Sequence, residues 1–196
     1  MEACMCKQKG ANMRSVFLKG ERIFLSPLSP KNDLHGYSSW LNDQDTTLYM
    51  ASGRFPATIE SLRKYIEHYN TSKDGMLLGV FLKKNKKHIG NITLHMIDWR
   101  NRHGEIGIII GDEKARGKGY ATEAINLIVK HAFDKLNLNK LYAGMIEGNE
   151  ASRKAFKKIG FKGEGIFKEH FYLNNRYLDC YRVALLEKDY RRLAKE

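Results

Sequence analysis

Six consecutive residues near the middle of the chain combine two glycines with two cationic side chains: Arg116-Gly117-Lys118-Gly119-Tyr120-Ala121. Gly117 and Gly119 follow an apolar run and precede a stretch of helical periodicity, so they predict a turn between a strand and a helix. In such a turn the backbone N–H groups converge on one point, and the helix dipole favours an anion there. Arg116 and Lys118 add full positive charges. The segment therefore predicts a phosphate-binding loop.

The sequence around this loop excludes two other phosphate-binding motifs. No Gly-Lys-Ser or Gly-Lys-Thr follows, as a Walker loop requires, and the preceding elements are predicted hairpins rather than the βαβ unit of a dinucleotide-binding domain. The loose glycine pattern arises by chance at about one position in a thousand, given average glycine usage. Its value therefore depends on the elements that surround it.

Those elements form an alternation of strands and amphipathic helices. Seven strands are predicted, over residues 22–28, 76–83, 88–97, 105–110, 141–146, 165–173 and 176–186. Four helices are predicted, over residues 34–41, 58–69, 121–136 and 149–159, followed by a short basic helix at the C-terminus. Asn32 or Asp33 is expected to cap the first helix, Thr58 to cap the second, and Gly160 to end the fourth. The order indicates an α+β protein with a mixed, mostly antiparallel sheet of about seven strands.

Length and composition indicate one globular domain. The chain has 196 residues, of which 42% are hydrophobic and 29% charged, which is ordinary usage for a globular protein. Residues 1–15 are polar and aperiodic, so we expect a disordered tail followed by a single domain over 16–196.

Targeting signals and cysteine usage favour a cytoplasmic protein. The apolar runs are too short to cross a bilayer, and the first twenty residues contain no apolar block of a secretory signal. Cys4, Cys6 and Cys180 cannot all pair, and they lack the spacing of a metal site. We therefore expect a reduced protein in the cytoplasm, with no membrane contact and no metal.

The net charge of +12, from 34 Lys and Arg against 22 Asp and Glu, attracts polyanions. Nucleic acid, anionic lipid and a phosphorylated cofactor are all consistent with that charge, and so is a merely solubilising surface. The charge alone does not choose among them.

Two segments after the loop give it a family context. Residues 149–161 read Asn-Glu-Ala-Ser-Arg-Lys-Ala-Phe-Lys-Lys-Ile-Gly-Phe, and residues 175–179 read Asn-Arg-Tyr-Leu-Asp. With residues 105–111 and 116–121, they resemble the GNAT superfamily of N-acetyltransferases, in particular its RimJ/RimL and spermidine N-acetyltransferase branch. The N-terminal half is similar only in its order of elements. The resemblance implies a sheet that splays between its fourth and fifth strands, with acetyl-CoA as co-substrate and a primary amine as acceptor.

The same resemblance implies a set of residues that bind acetyl-CoA. Backbone groups of Ile108, Ile109 and Ile110 would pair with the pantetheine arm as an added strand does. The amides of the loop at 116–121 would hold the pyrophosphate, and Asn149 would line the pantetheine channel. Basic side chains of the following helix could reach the adenosine phosphates, although a solvated helix face accounts equally for each lysine: Arg153, Lys154 and Lys157.

The implied reaction is direct attack of an amine on the thioester. An alkylamine with a pKa near 10 is protonated at pH 7, so a base must remove a proton, directly or through water. Glu105 stands where related enzymes often keep that base, although an exposed glutamate at a strand end would look the same. Many relatives carry a proton-donating Tyr at the position of Phe156. Ser152, one turn earlier, could donate instead, or a thiol with a pKa near 8.5 could leave without an acid.

The acceptor site is expected between the first helices and the last hairpin. Core packing accounts equally for most of its aromatic candidates, which are Trp40, Tyr49, Trp99, His103, Tyr172 and Tyr177. The segment Trp99-Arg100-Asn101-Arg102-His103 is basic. Near the acceptor it would repel a polycation such as spermidine and favour an anionic amine, such as an amino sugar on a nucleotide, or a protein N-terminus.

Four interpretations follow from the sequence. The chain acetylates a small-molecule amine, or it acetylates a protein α-amine in the manner of the RimJ/RimL enzymes. A basic nucleic-acid-binding module is a third, which the even spread of charge and the lack of a known binding motif argue against. A catalytically inactive CoA-binding protein is the fourth, because of Phe156. A homodimer stays open, since dimers are common in this branch and no residue here indicates one.

Overall fold

The computed structural model describes residues 15–50 and 52–193, so the predicted tail lies almost wholly outside the described residues. One sheet contains eight strands in the spatial order β1-β2-β3-β4-β5-β6-β8-β7, and only β5 and β6 run parallel. This confirms the predicted α+β architecture, with the two-residue β1 as an addition. The strands are β1 (Leu18–Lys19), β2 (Ile23–Pro27), β3 (Met76–Leu82), β4 (His88–Asp98), β5 (His103–Ile110), β6 (Lys140–Ile146), β7 (Lys162–Leu173) and β8 (Arg176–Leu186).

Helices form where the sequence predicts them, with two additions, the short helix α2 and a 3-10 turn at Glu113–Ala115. They are α1 (His35–Asn42), α2 (Gln44–Thr47), α3 (Ile59–Thr71), α4 (Tyr120–Asp134), α5 (Glu150–Lys157) and α6 (Glu187–Leu193). The single turn α2 was not predicted, because four polar residues carry no periodicity. Thr58 caps α3 by accepting a hydrogen bond from the Ser61 amide (3.1 Å), as expected. The predicted cap of α1 is wrong, because its N-cap residue is Leu34, without a side-chain cap bond, and Asp33 accepts from the His35 amide (3.0 Å) in the turn before it. In the described ranges no helix is long and apolar enough to cross a membrane.

The hydrophobic core lies on both faces of the sheet. On one face α4 buries Ile125 and Ile128 against strands β2 to β6. On the other face Leu62 and Ile66 of α3 pack with Phe81 of β3 and with residues of α1. Because successive side chains along a strand point to opposite faces, one central strand can contribute residues to the core on both faces of the sheet. The centre of the sheet is therefore packed between two helical layers, and loops lie at the ends of its strands.

Strands β5 and β6 pair only at their beginnings. The register contains three partners, His103 with Lys140, Gly104 with Leu141 and Glu105 with Tyr142. Beyond Glu105, β5 stays paired with β4 as far as Ile110, and β6 stays paired with β8. The two strands therefore part after Glu105 and leave a gap, which confirms the predicted splay between the fourth and fifth predicted strands.

Candidate active site

The glycines of the predicted loop adopt the conformation that only glycine adopts readily. Gly117 has φ +71° and Gly119 has φ +79°, both in the left-handed region. Gly119 is the N-cap residue of α4, and no side chain caps this helix. The first amides of α4 therefore have no helical acceptor and present the positive end of a 15-residue helix. The arrangement is suited to an anion, as the sequence predicted.

Two arginines hold the loop from its two sides. Nη2 of Arg116 donates to Thr46 Oγ1 (2.7 Å) and its Nε to the Ile110 carbonyl (3.1 Å), so this side chain ties the end of β5 to α2. Nη1 of Arg22 donates to the Lys118 carbonyl (2.9 Å). Arg22 also forms an ion pair with Glu123 (2.9 Å), in the first turn of α4. The sequence analysis missed Arg22, since nothing local connects it to a loop about a hundred residues later.

The beginning of α5 lies at the corresponding end of β6. Asn149 caps α5 by accepting from the Ser152 amide (3.2 Å). A Cβ on the preceding Gly148 would lie 3.1 Å from the phenol oxygen of Tyr49, so this predicted acceptor residue stands beside the gap. Phe156 is buried and packs edge-to-face on Phe161 (5.0 Å), which makes it a core residue.

The basic residues of α5 lie on its exposed face. Arg153 is paired with Glu150 on its own helix (2.8 Å). Lys154 and Lys157 are exposed. A solvated helix face accounts for the placement of all three.

A carboxylate and an arginine meet where β5 and β6 part. Glu105 Oε1 accepts from Arg182 Nη1 (2.9 Å), and the Glu105 side chain is 17% exposed. The Arg182 guanidinium also lies over the rings of Tyr142 (5.1 Å) and Phe167 (5.4 Å). Burial raises the pKa of Tyr142, and the nearby Glu105 adds to that rise. The candidate base therefore has an ionic partner, which the sequence did not indicate.

His95 is a further residue that the sequence analysis missed. It is the register partner of Glu105 across β4 and β5, so the two side chains share a face of the sheet. Burial lowers the pKa of His95, while the Glu105 carboxylate opposes that shift. The imidazole is therefore uncharged at neutral pH and able to accept a proton. The signal was present in the alternation of polar residues Asn91, Thr93 and His95 along an otherwise apolar strand.

A cavity of about 380 Å³ lies between the helical layer of α1 and α3 and the face of β4 and β5. It includes two of the residues predicted to pair with the pantetheine arm, Ile108 and Ile109, and none of the six predicted acceptor residues. The described residues that line it are Tyr37, Leu41, Met50, Ser52, Ala57, Ser61, Leu62, Tyr65, Leu77, Asn91, Thr93, Gly107, Ile108 and Ile109.

The other predicted acceptor residues lie in three places. Trp40 packs on the end of β5, where a Cβ on Gly111 would lie 2.0 Å from its ring. Trp99 and His103 are at the start of β5: Trp99 Nε1 donates to the Lys73 carbonyl (3.1 Å), and the His103 ring stands 5.6 Å from that of Tyr142. The rings of Tyr172 and Tyr177 contact each other at a tilted angle (centroids 5.0 Å apart) near the tip of the β7–β8 hairpin.

The basic segment that contains Trp99 and His103 is therefore at the opposite end of β5 from the loop. It does not line the cavity, so its charge gives no argument there for an anionic acceptor. No group of three or more His, Cys, Asp or Glu side chains able to hold a metal occurs in residues 15–50 and 52–193.

Comparison with known proteins identifies the family. The model of the acetyltransferase (GNAT) domain matches residues 22–162, so the chain belongs to the GNAT acetyltransferase family. The uncharacterized N-acetyltransferase p20 of Bacillus licheniformis is 30% identical over 76% of this chain and 84% of its own length. Spermidine N(1)-acetyltransferase of Escherichia coli (strain K12) is 28% identical over 86% and 88%.

A solved structure gives the same result for the fold. The crystal structure of spermidine N-acetyltransferase from Vibrio cholerae in complex with CoA and spermine superposes with a TM-score of 0.79 at 26% identity. The superposition covers 87% of this chain and 98% of that chain. The fold of the whole described domain is thus that of a GNAT acetyltransferase.

Proposed function

We propose that the chain transfers an acetyl group from acetyl-CoA to a primary amine by direct attack on the thioester. The observation that carries this proposal is the parting of β5 and β6 beside an uncapped helix N-terminus. A long thioester that bears phosphates needs an extended slot and an anion site next to each other. This chain has both at one end of its sheet.

The residues present fit such a molecule. Past Glu105, β5 has no partner on its β6 side, so backbone groups of Ile108 to Ile110 can pair with an extended ligand. At the loop, a Cβ on Gly117 would meet no atom within 4 Å, so the approach to the amides is open. We propose that the amides of 116–121 bind the pyrophosphate and that Asn149 borders the pantetheine arm.

The proton of the acceptor ammonium needs a base, and we propose Glu105 with His95 beside it. Both side chains are on the cavity face of the sheet, where β5 and β6 separate. The uncharged imidazole and the carboxylate together can accept a proton directly or through water. Ser152, near the start of α5, is the proposed donor to the departing thiolate, because the buried Phe156 has no proton to give.

The acceptor is proposed to be a small-molecule amine, such as an amino sugar or another primary amine. A protein α-amine is the second candidate, which the resemblance of residues 105–121 and 149–161 to the RimJ/RimL enzymes supports. An inactive CoA-binding protein and a nucleic-acid-binding module would each give a distinct result in the test below.

The test is the thermal midpoint of unfolding with and without acetyl-CoA, followed by release of free thiol with a panel of amines. A ligand that binds only the folded state contributes about 2.7 kcal/mol at a hundredfold excess over its dissociation constant, so the midpoint should rise. Gly119→Trp, which places a ring over the α4 amides, should abolish the rise. Lys130→Trp adds the same bulk at an exposed position on the same helix and should keep it.

Each alternative predicts a different outcome. A rise in the midpoint without thiol release from any amine would indicate an inactive CoA-binding protein. No rise at millimolar acetyl-CoA would refute the proposal, and salt-dependent binding to nucleic acid would then be measured.

A further inference from the structure

The side chains that line the cavity beside β5 differ in charge from the rest of the molecule. Asn91 and Thr93 of β4 and Gly107 and Ile109 of β5 form its floor, and α1 and α3 form its roof. Since Ile108 and Ile109 also border the gap between β5 and β6, the cavity opens beside the proposed position of the thioester. A molecule in the cavity would therefore be placed to attack the thioester.

None of the described residues that line the cavity carries a charge at neutral pH. The lining consists of aliphatic, hydroxyl, amide and phenol side chains. Burial raises the pKa of Tyr37 to about 12, and desolvation also raises the pKa of Tyr65. Both phenols therefore stay neutral. The chain as a whole has a net charge of +12. The described lining of the cavity differs from that charged surface because it contains no Lys, Arg, Asp or Glu.

The carboxylate on the same face of β5 is already neutralised. Glu105 lies two residues before Gly107, and its Oε1 accepts from Arg182 Nη1 at 2.9 Å. A cationic group in the cavity would have to displace Arg182, which is itself packed over two aromatic rings. The cavity thus offers no free counter-charge to an ammonium group.

We propose that the acceptor is a small primary amine whose remaining body is uncharged and largely apolar. This inference rests on the proposed acetyltransferase function and specifies its substrate class. The reacting amine loses its proton to the base at Glu105 and His95, so it does not keep a charge in the cavity. A second amine with a pKa near 10 has no such route, and at pH 7 only about one molecule in a thousand carries it uncharged.

Size and hydrogen bonding support the same class. A volume of about 380 Å³ is at the lower end of the range for small-molecule pockets. Asn91 is 3% exposed, and its Oδ1 contacts His88 Nε2 (2.8 Å). Its Nδ2 lies near the Tyr37 phenol, whose pKa burial raises and this amide lowers, and it makes no hydrogen bond of normal geometry within the described residues. An acceptor atom on the ligand, such as a hydroxyl oxygen, would satisfy that buried donor.

The test compares amines that are matched in size and differ in charge. Hexylamine and cadaverine have the same number of heavy atoms, and cadaverine replaces the terminal methyl group with a second ammonium. We expect kcat/KM for hexylamine to exceed that for cadaverine by about 100-fold, measured as release of free thiol from acetyl-CoA. 5-Aminopentanoate, which carries a carboxylate at the end opposite its amine, should also react poorly. Equal or better rates with cadaverine, 5-aminopentanoate or spermidine would overturn the inference, as would a preference for a C-terminally amidated peptide.

A charge placed in the cavity should change this selectivity. Ser61 lines the cavity in the first turn of α3, where an acidic residue suits the helix dipole. Ser61→Asp should raise kcat/KM for cadaverine relative to hexylamine by about 10-fold. Ser61→Asn, with the same bulk and no charge, should not raise it. Unchanged selectivity in Ser61→Asp would mean that the acceptor binds elsewhere.

The two proposals fail in different ways. If acetyl-CoA raises the thermal midpoint and cadaverine is the better substrate, the inference about the acceptor is wrong and the acetyltransferase proposal stands. If acetyl-CoA neither raises the midpoint nor releases thiol with any amine, both are wrong.

Discussion

Replacing Glu105 with glutamine should lower kcat much more than it lowers stability. The carboxylate stands where the pairing of β5 with β6 ends, on the face that continues to Gly107 in the cavity wall. Positioned general bases contribute typically about 10²–10⁴-fold to a rate. We therefore expect kcat to fall by about 100-fold or more. The KM for acetyl-CoA should change little, because the proposed pyrophosphate site, the loop at residues 116–121, lies beyond the other end of β5.

The cost in stability follows from the geometry of the ion pair. Glu105 and Arg182 are 2.9 Å apart and their side chains are 17% and 23% exposed, so the pair is neither open to solvent nor fully buried. Glutamine keeps an Oε1 acceptor for the guanidinium and removes only the charge. We expect the free energy of unfolding to fall by about 1 kcal/mol. This lies between the contribution of an exposed ion pair and the cost of breaking a buried one. In a domain of this size that lowers the thermal midpoint by about 2–4 °C.

Asp134→Asn provides the matched control. Asp134 pairs with Arg191 (2.6 Å) at the far end of α4 from the phosphate loop, and its side chain is 27% exposed. This variant should lower the midpoint to a similar extent and leave kcat unchanged. Thiol release and differential scanning fluorimetry give the two readouts. If Glu105→Gln kept kcat within about threefold of the original while the midpoint fell, the carboxylate would be only a structural partner of Arg182.

Two further predictions concern the supports of the site. Gly111→Ala should destabilise the fold by about 1–3 kcal/mol, because its Cβ would lie 2.0 Å from the Trp40 ring. Gly36→Ala, whose Cβ would meet no atom within 4 Å, should instead stabilise α1 by about 0.5–1 kcal/mol. Equal effects of the two variants in denaturant unfolding would contradict this prediction. Burial lowers the pKa of His95 and of His131 below 6.5, so the unfolded chain binds protons first and stability should fall as pH drops below about 6.5. His95→Gln should reduce that slope, and an unchanged slope in unfolding experiments between pH 7.5 and 5 would contradict the assignment.

The fold was predictable wherever the signal was local. The Asn174-Asn175 turn adopts φ of 49° and 59°, as a two-residue hairpin requires, and Gly160 ends α5 with φ +102°. The helix α4 follows from apolar residues at helical spacing. The gap between β5 and β6 is different in kind. A strand that is apolar on both faces predicts a central position, and nothing in its own sequence says that one edge stays unpaired.

Local sequence alone predicted only the glycine loop of the site, and Glu105 and Ile108 to Ile110 were predicted from the resemblance to a family. Gly117 and Gly119 are separated by one residue, and their role depends on their own backbone, so local sequence is enough to find them. His95, Asn91 and Arg22 reach the site through strand pairing and packing between distant segments. Their residue types are ordinary for exposed or half-buried strand positions. Only the alternation of the polar residues Asn91, Thr93 and His95 along β4 indicated that one face of that strand does more than pack in the core.

The sequence argument for an anionic acceptor treated charge as a property of a segment, and the structure places that segment outside the lining of the cavity. The basic residues at 99–103 are close to Glu105 in sequence, but the Arg102 guanidinium donates its hydrogen bonds to Asn137 (2.7 and 2.8 Å). In the same turn, the Asn101 amide donates to the Asp98 carboxylate. Screening also limits exposed charges to about 10 Å at moderate salt. An acceptor inside the cavity is therefore selected by the side chains that contact it. Since those side chains are uncharged, we expect the basic surface to affect only the rate of encounter, and desolvation in the proposed acceptor cavity to select the amine.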